Sequence, residues 1–406
     1  MTATSTTNAN GAAAPVQTVT GAAGFIGAAL VLELLDRTSS EVFCLVRGKE
    51  GEGPAARLSQ ILNWTATLYD RPDLAPAIAE RCHAVPFDLG DSAEVVRRKL
   101  PSDSGEFWHV AASLKFKGED RDEILEQNVE GTRRVLGLAA DTNASTFNYV
   151  STAYVSGTRS GRILEQVEGD TSVARNPYEE SKIRAEVLVD GYDLLPTRIL
   201  RPSVVIGHSQ THAALSGAGL YGVIRGVRRL KTEIAPVYGA LLAHRPLRVR
   251  AAAAAPINLV PVDMVVRNAV GISLAKPKAD VFHLVNAKPP RVDAAAVGVF
   301  EVLGMTKPRW VEDKSEFSSI DEKFDEEPRT EFFRSYLSTT RVFDLTNTDA
   351  VLGEDASAAP LDEGEVTEYV RWYVEFLDHL RAHGIPPAAA VPAATAPAAT
   401  APAAQS

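Results

Sequence analysis

The chain has 406 residues, of which 45% are hydrophobic and 23% charged, proportions typical of a soluble globular protein with one large or two smaller folded units. Its 42 basic and 52 acidic residues give a net charge of −10, which argues against general nucleic-acid binding. Two cysteines, Cys44 and Cys82, are too few for a disulfide framework, and no Cys-x-x-Cys pattern or His/Cys cluster indicates a metal site. No apolar run reaches the roughly 18 residues of a membrane span, and the N-terminal residues do not resemble a signal peptide. A cytoplasmic location is therefore expected.

Both ends of the chain are predicted to lie outside the folded body. Residues 1–14 form a polar leader, and residues 386–406 form an uncharged Ala/Pro tract whose prolines repeatedly interrupt a helix. Between these disordered ends we predict a nucleotide-binding domain over residues 15–290. A smaller, mainly helical substrate-binding part is expected over residues 291–385.

Short β-prone runs alternate with helical patterns through the first half of the chain. The strand-like runs are 16–20, 41–46, 84–87, 107–110, 147–150 and 197–200. Helical patterns separate most of them, including those at 124–140 and 179–189. This alternation predicts an α/β fold with a doubly wound parallel sheet.

The pattern changes after about residue 205. Residues 209–255 are rich in Gly, Arg and Ala without strand alternation, and we expect them to form a mobile lid over the substrate. Strand-like runs return at 257–260 and 281–285. An acidic stretch near 312–331 is expected to be solvated.

Three glycines at a spacing of three residues lie between the first strand and the first helix. A turn of this kind lets the backbone approach a pyrophosphate closely, while free N–H groups at the helix N-terminus face the anion. A purely structural turn is the alternative, but the strand–turn–helix order favours a dinucleotide site. We assign the whole turn to that site: Gly21, Ala23, Gly24, Phe25, Ile26 and Gly27.

The residue type at the end of the second strand indicates whether the site prefers NAD or NADP. An acidic residue there would bind the adenosine ribose of NAD, but this chain has Arg47, 20 residues after Gly27. A guanidinium suits a 2′-phosphate, so NADPH is predicted and NADH is less favoured. Asp88 and Leu89, which follow the third strand, are expected near the adenine.

Tyr178 and Lys182 have the spacing that places two side chains on one helix face. We expect the ammonium to lower the pKa of the tyrosine and make it a proton donor or acceptor near neutral pH. Ser151 and Thr152 end the preceding strand-like run, where a hydroxyl can hold a substrate oxygen.

Several motifs together resemble the extended short-chain dehydrogenase/reductase superfamily, over about residues 16–290. In chain order they read TGAAGFIG, HVAAS, NVEGT, YVSTAYVSG, YEESK and RPSVVIG. The segments LVR, HVAASLKF and NLVPVD, with the Arg57-Leu58 pair, resemble its thioester reductase and fatty acyl-CoA reductase-like, or male sterility, branch.

The resemblance implies a Rossmann-type fold and a catalytic trio of Thr152, Tyr178 and Lys182. It also implies further cofactor contacts, at Ala111, Ala112, Ser113, Pro202 and Ser203. Asn128 matches a position that orients the active-site backbone and is not counted as catalytic.

The activity implied is hydride transfer from NADPH to an acyl thioester, giving an aldehyde, with further reduction to the alcohol left open. The alternative is an extended family member that acts on a ketone, a hydroxyl or a nucleotide sugar, as a dehydrogenase or epimerase. Residues 225–250 carry seven basic residues against the single acid Glu233. This segment is predicted to attract an anionic acyl carrier, either coenzyme A or an acyl carrier protein.

Overall fold

The computed structural model describes residues 15–49, 51–242, 244–326 and 340–384. Both predicted disordered ends, 1–14 and 386–406, lie outside these residues.

Thirteen strands and thirteen α-helices in the described ranges are numbered here in chain order. They are β1 Val16–Thr20, α1 Phe25–Arg37, β2 Glu41–Val46, α2 Pro54–Leu68, α3 Ala75–Arg81, β3 Cys82–Pro86, α4 Ala93–Arg97, β4 Glu106–His109, α5 Arg121–Leu125, α6 Gly131–Asp141, β5 Thr146–Val150, β6 Gly161–Ile163, α7 Pro177–Asp190, β7 Thr197–Pro202, β8 Val204–Ile206, α8 Leu220–Leu242, β9 Arg248–Arg250, β10 Leu259–Pro261, α9 Val262–Ala275, β11 Val281–Leu284, α10 Val292–Val302, β12 Arg309–Val311, α11 Ser319–Asp325, β13 Arg341–Phe343, α12 Thr346–Leu352 and α13 Glu363–His383.

Seven strands form one parallel sheet in the order β3–β2–β1–β4–β5–β7–β11. The chain winds outward from β1 to β3 and then returns to β4 beside β1, so the winding direction reverses between β1 and β4. Ligands of doubly wound sheets bind outside the carboxyl ends of the strands at such a reversal. The predicted Rossmann-type α/β class is confirmed. Every strand-like run of the sequence forms a strand within two residues of its predicted ends.

Residues 220–242 form a packed helix, although their composition had suggested an open segment. Buried side chains of α8 recur every three or four positions, at Tyr221, Ile224, Val227, Leu230 and Ile234. This period places them along one face of the helix. A role of this region as a lid stays a prediction.

The C-terminal helices share a core with the sheet. One continuous cluster of buried side chains joins Val19 on β1 and Trp108 on β4 to Tyr369 and Tyr373 on α13. α13 packs against α10 and α8. None of the helices in the described ranges combines the length and apolarity needed to cross a membrane.

The acidic stretch near 312–331 is not solvated throughout, contrary to expectation. Asp321 and Asp325 on α11 are buried. Asp321 closes a capping box with Ser318 and takes hydrogen bonds from the backbone and guanidinium of Arg248, so its charge is compensated inside the protein. Residues 327–331 of this stretch lie outside the described ranges.

Candidate active site

The predicted site residues follow the carboxyl ends of neighbouring parallel strands. Gly21 follows β1, Arg47 follows β2, Asp88 lies two residues past β3, Ala111 lies two past β4 and Thr152 lies two past β5. Because these strands are parallel, all five positions lie along one edge of the sheet. Pro202 ends β7 at the same edge, and Ser203 follows it.

The glycine turn requires glycine at its first and last positions. Gly21 has φ +70°, and a Cβ there would lie 2.8 Å from the Ala111 nitrogen. A Cβ on Gly27 would overlap the carbonyl oxygen of Gly21. α1 begins after Gly24 with no side-chain cap and no acidic residue in its first turn, so its N–H groups remain available to an anion. Ala23 lies in this turn, and Phe25 and Ile26 are the first two residues of α1. The arrangement therefore fits a dinucleotide pyrophosphate.

A buried network not anticipated from the sequence fixes the chain after β4. The Thr20 hydroxyl accepts hydrogen bonds from Val110 N and Ala111 N, at 3.1 and 3.2 Å. It also bonds His109 Nδ1 at 2.7 Å, while His109 Nε2 lies 3.1 Å from the hydroxyl of Thr132. Burial, with Lys182 nearby, lowers the pKa of His109 to about 3, so the ring is neutral. The network holds Ala111 beside the glycine turn, and Ala112 follows it in the chain.

Asn128 orients the next residues of this loop, as the resemblance implied. Its Oδ1 accepts from Ser113 N at 2.7 Å, and its Nδ2 donates to Ser113 O and to Ser181 Oγ. It lies in a π-helical turn at Glu126–Glu130, which interrupts the single helix predicted for this region. Asn128 thus ties the loop after β4 to α7.

At the adenosine end of the site, Arg47 and Asp88 face one another. The guanidinium of Arg47 lies 3.5 Å from the Asp88 carboxylate, and both side chains are largely exposed. Arg57 on α2 donates to the Arg47 carbonyl at 2.6 Å, which brings a second cation to the end of β2. The sequence had drawn attention to Arg57 only through a resemblance. The carbonyl of Leu89 accepts from Arg134.

α7 carries Tyr178 and Lys182 toward the end of β5. Asn176 caps this helix through its side chain, and Pro177 occupies the first turn, as sequence rules favour. Lys182 Nζ donates to the Val150 carbonyl at 2.8 Å and lies 4.4 Å from the centre of the Tyr149 ring. Thr152 is buried, and its hydroxyl oxygen accepts from Tyr154 N at 3.2 Å.

The expected lowering of the Tyr178 pKa is wrong in this structure. Burial raises the pKa of Tyr178, and the neighbouring Glu179 raises it further. The ammonium of Lys182 is engaged by Val150 and Tyr149 instead. Burial lowers the pKa of Lys182 to about 7, against the opposing effect of Glu186. At neutral pH Tyr178 is therefore a phenol, and Lys182 lies near its titration midpoint.

Ser203 belongs to a hydrogen-bonded group on the side of β7. Its hydroxyl donates to Asn258 Oδ1 at 2.6 Å, and Asn258 Nδ2 donates to the Asn286 carbonyl. Pro202 pairs with Leu284 in the sheet. These contacts fix the backbone next to the centre of the site.

The basic segment is largely neutralised by carboxylates. Four of its arginines form ion pairs: Arg228 with Asp378, Arg229 with Glu233, and both Arg245 and Arg248 with Asp321. Lys231 donates to the Leu303 carbonyl. Within the described ranges, neither Arg225 nor Arg250 forms an ion pair with a carboxylate, and both are exposed. The local excess of positive charge read from the sequence is therefore smaller in the folded protein.

A glycine turn after β1, a parallel doubly wound sheet and a Tyr-x-x-x-Lys helix define a nicotinamide-dinucleotide-binding oxidoreductase of the extended short-chain dehydrogenase/reductase type. Within that class, the chain belongs to the family described as "Male sterility protein", whose model matches residues 19–269.

Two relatives carry reductase or synthase names. A linear gramicidin synthase of Brevibacillus parabrevis is 25% identical over 315 residues, which are 72% of this chain and 6% of that protein. Fatty acyl-CoA reductase 1 of Gallus gallus is 30% identical over 221 residues, which are 46% of this chain and 42% of that protein. The chain thus spans less than half the length of each.

Solved structures show the same fold. The terminal R domain from the myxalamid PKS-NRPS biosynthetic pathway is 24% identical, with a TM-score of 0.68 over 93% of each chain. A thiolation-reductase di-domain from an archaeal non-ribosomal peptide synthetase is 19% identical, with a TM-score of 0.67 over 90% of this chain and 76% of that one.

Proposed function

We propose that this protein is an NADPH-dependent reductase of acyl thioesters carried on coenzyme A or an acyl carrier protein. The observation that carries the proposal is the placement of Thr152, Tyr178 and Lys182 at the edge of the sheet where its winding reverses. The fatty acyl-CoA reductase and synthase relatives support thioesters as the substrate class. A cytoplasmic location stays a prediction from composition.

The three side chains have complementary tasks. A bound nicotinamide dinucleotide supplies the hydride. Tyr178 donates its proton to the carbonyl oxygen as negative charge develops there, and its raised pKa keeps that proton in place at neutral pH. The Thr152 hydroxyl accepts from Tyr154 N, and among the described residues no acceptor takes its own hydrogen, which can therefore bond the same substrate oxygen.

Lys182 completes the site as an ammonium that would hold the ribose of the bound cofactor. No separate nucleophile is required, because a thioester carbonyl is already activated. The resulting hemithioacetal collapses by breaking its C–S bond, which releases the thiol and leaves an aldehyde. A second hydride transfer would give the alcohol.

Arg47 and Arg57 support NADPH over NADH. Both cations lie at the end of β2, where a 2′-phosphate would lie in a fold of this kind. The Arg47–Asp88 pair does not prevent this, because an exposed ion pair contributes at most about 1 kcal/mol.

The proposal is tested by following oxidation of NADPH and NADH with a panel of acyl-CoA and acyl-carrier thioesters. Ketones and nucleotide sugars form the second arm of the panel. We expect thioester-dependent oxidation of NADPH, with aldehyde or alcohol recovered as the product. Consumption of a ketone or nucleotide sugar, with no thioester consumed, would reject the proposed substrate class and retain the oxidoreductase.

Tyr178→Phe provides the test of mechanism. We expect turnover to fall by roughly 10²- to 10⁴-fold, the range for loss of a general acid, while NADPH affinity is retained. Tyr192→Phe is the matched control, because Tyr192 lies past the other end of α7, away from the site. Full activity of Tyr178→Phe would show that another group protonates the substrate.

A further inference from the structure

A buried ion pair lies directly behind Lys182 on the same helix face. Glu186 follows Lys182 by four residues on α7 and is 2% exposed. Arg201 on β7 holds both of its carboxylate oxygens, with Nε to Oε1 at 2.9 Å and Nη2 to Oε2 at 2.6 Å. This bidentate geometry fixes the position of the Glu186 charge relative to Lys182.

In the described part of the chain, the other contacts of Arg201 are with uncharged groups. Its Nη atoms donate to the carbonyls of Leu164 and Gln166 at 3.2 and 2.9 Å. His283 Nε2 lies 3.5 Å from Nη1, and burial lowers the pKa of His283 to about 3, so this ring is neutral. The charge of Arg201 is therefore directed mainly at Glu186.

Among the residues that the structure describes, Lys182 faces few ionisable groups. Tyr178 and Glu186 lie on its own helix, Tyr149 lies on β5 and the neutral His109 lies on β4. Burial raises the pKa of Tyr149 and of Tyr178, so neither carries charge near neutrality. Glu186 is thus the anion that favours the ammonium form of Lys182 against burial.

We propose that Glu186 and Arg201 are positioning residues that together set the charge of Lys182, Glu186 favouring the ammonium and Arg201 limiting that effect by neutralising the carboxylate. The inference rests on the role given to Lys182 in the proposed function and adds the residues that regulate it. Removing Glu186 should therefore lower the fraction of Lys182 that is charged, and removing Arg201 should raise it. An ion pair with only a structural role would not give shifts of opposite sign.

The experiment measures NADPH affinity against pH by quenching of protein fluorescence, with no acyl substrate present. In the wild type we expect affinity to fall as pH rises through about 7, because the ammonium that bonds the ribose loses its proton. Glu186→Gln is expected to move this transition down by about one pH unit, and Arg201→Gln to move it up by about one unit. Arg201→Lys keeps the charge and is expected to return the transition toward the wild-type position.

Glu165→Gln is the matched control. Glu165 is also a buried carboxylate, but it accepts from His283 N and from Thr348 rather than facing Lys182. Its substitution is expected to leave the transition in place. If Arg201→Gln does not fold, Glu186→Gln and Arg201→Lys decide the question.

An unshifted transition in Glu186→Gln, or shifts of the same sign in both Gln variants, would overturn the inference. Lys182→Met separates this failure from failure of the proposed function, since it must abolish the transition. A transition that persists in Lys182→Met would remove the lysine from the cofactor site and reject both. Loss of the transition with no thioester consumed would leave the inference standing and reject only the substrate class.

Discussion

At the scale of single residues, Lys182 carries a functional ammonium in a buried position that disfavours its charged form. An ammonium in water has a pKa of 10.5, whereas burial lowers that of Lys182 to about 7. The folded state therefore binds fewer protons than the unfolded state between these values. The resulting destabilisation is complete below pH 7 and is relieved as pH rises from 7 toward 10.5.

Lys182→Met is accordingly expected to abolish turnover and yet raise the free energy of unfolding, on the order of 2 kcal/mol below pH 7. The gain should shrink near pH 10, where the wild-type lysine is neutral in the folded state and most of its destabilisation has been relieved. Urea unfolding at the two pH values measures this difference. Lys99→Met, an exposed control, should change stability by less than about 0.5 kcal/mol at either pH. A destabilised Lys182→Met at low pH would contradict the buried-charge explanation.

Arg47 is the residue through which cofactor preference is expected to change. Arg47→Gln should lower the ratio of kcat/KM for NADPH over NADH by about tenfold, because a charge-assisted contact with the 2′-phosphate is lost. Asp88→Asn should raise the same ratio, since it frees Arg47 from its ion pair, and any adenine contact of Asp88 is common to both cofactors. Steady-state kinetics with both cofactors gives the ratios. Arg98→Gln, at an exposed position just past α4, should leave the ratio unchanged. An unchanged ratio in Arg47→Gln would exclude Arg47 as the phosphate ligand.

At the scale of elements, the glycine turn is fixed by sterics rather than by side-chain chemistry. Gly27→Ala should weaken NADPH binding by at least about tenfold, because its Cβ must displace the Gly21 carbonyl in the turn itself. Isothermal titration with NADPH measures the loss. Gly137→Ala on α6 is the control: a Cβ there meets no atom within 4 Å, and alanine should stabilise the helix by up to about 1 kcal/mol. Normal NADPH binding by Gly27→Ala would show that the turn tolerates a shift.

The elements that the sequence predicted well are those whose pattern is local. β1, the glycine turn and the Tyr178–Lys182 helix were each predicted from a short run of residues. Strands and helices have side-chain periods of 2.0 and 3.6 residues, and the turn is marked by its three glycines. Contacts between distant segments were not predictable in this way. Two examples are the ion pairs of Asp321 with Arg248 and of Glu186 with Arg201. A third is the hydrogen bond from Lys182 to the Val150 carbonyl. A single sequence gives no spacing rule that predicts such partners. The same limit explains why the pKa of Tyr178 was predicted to be lowered, although burial raises it.

At the scale of the whole molecule, the C-terminal helices are part of the cofactor-binding core rather than an appendage. Buried residues of α13 belong to the same cluster as those of β1 and β4, and Tyr373 lies with its ring centre 4.4 Å from that of Tyr221 on α8. Ser203 is followed directly by β8, and the loop after β8 leads into α8. Disruption of the contact between Tyr373 and Tyr221 should therefore also disturb the cofactor site. A core shared between parts of a chain favours one cooperative unfolding transition.

Tyr373→Ala is therefore expected to lower the free energy of unfolding by about 3 kcal/mol, since a 2%-exposed aromatic side chain leaves a cavity. The loss should appear at the same temperature in far-ultraviolet circular dichroism and in fluorescence from bound NADPH, because both report one transition. Glu375→Ala, an exposed position two residues further along α13, should stay within about 0.5 kcal/mol of the wild type. Two separate transitions in Tyr373→Ala, with NADPH still bound after the first, would show that the C-terminal helices unfold on their own and that the sheet holds its cofactor without them.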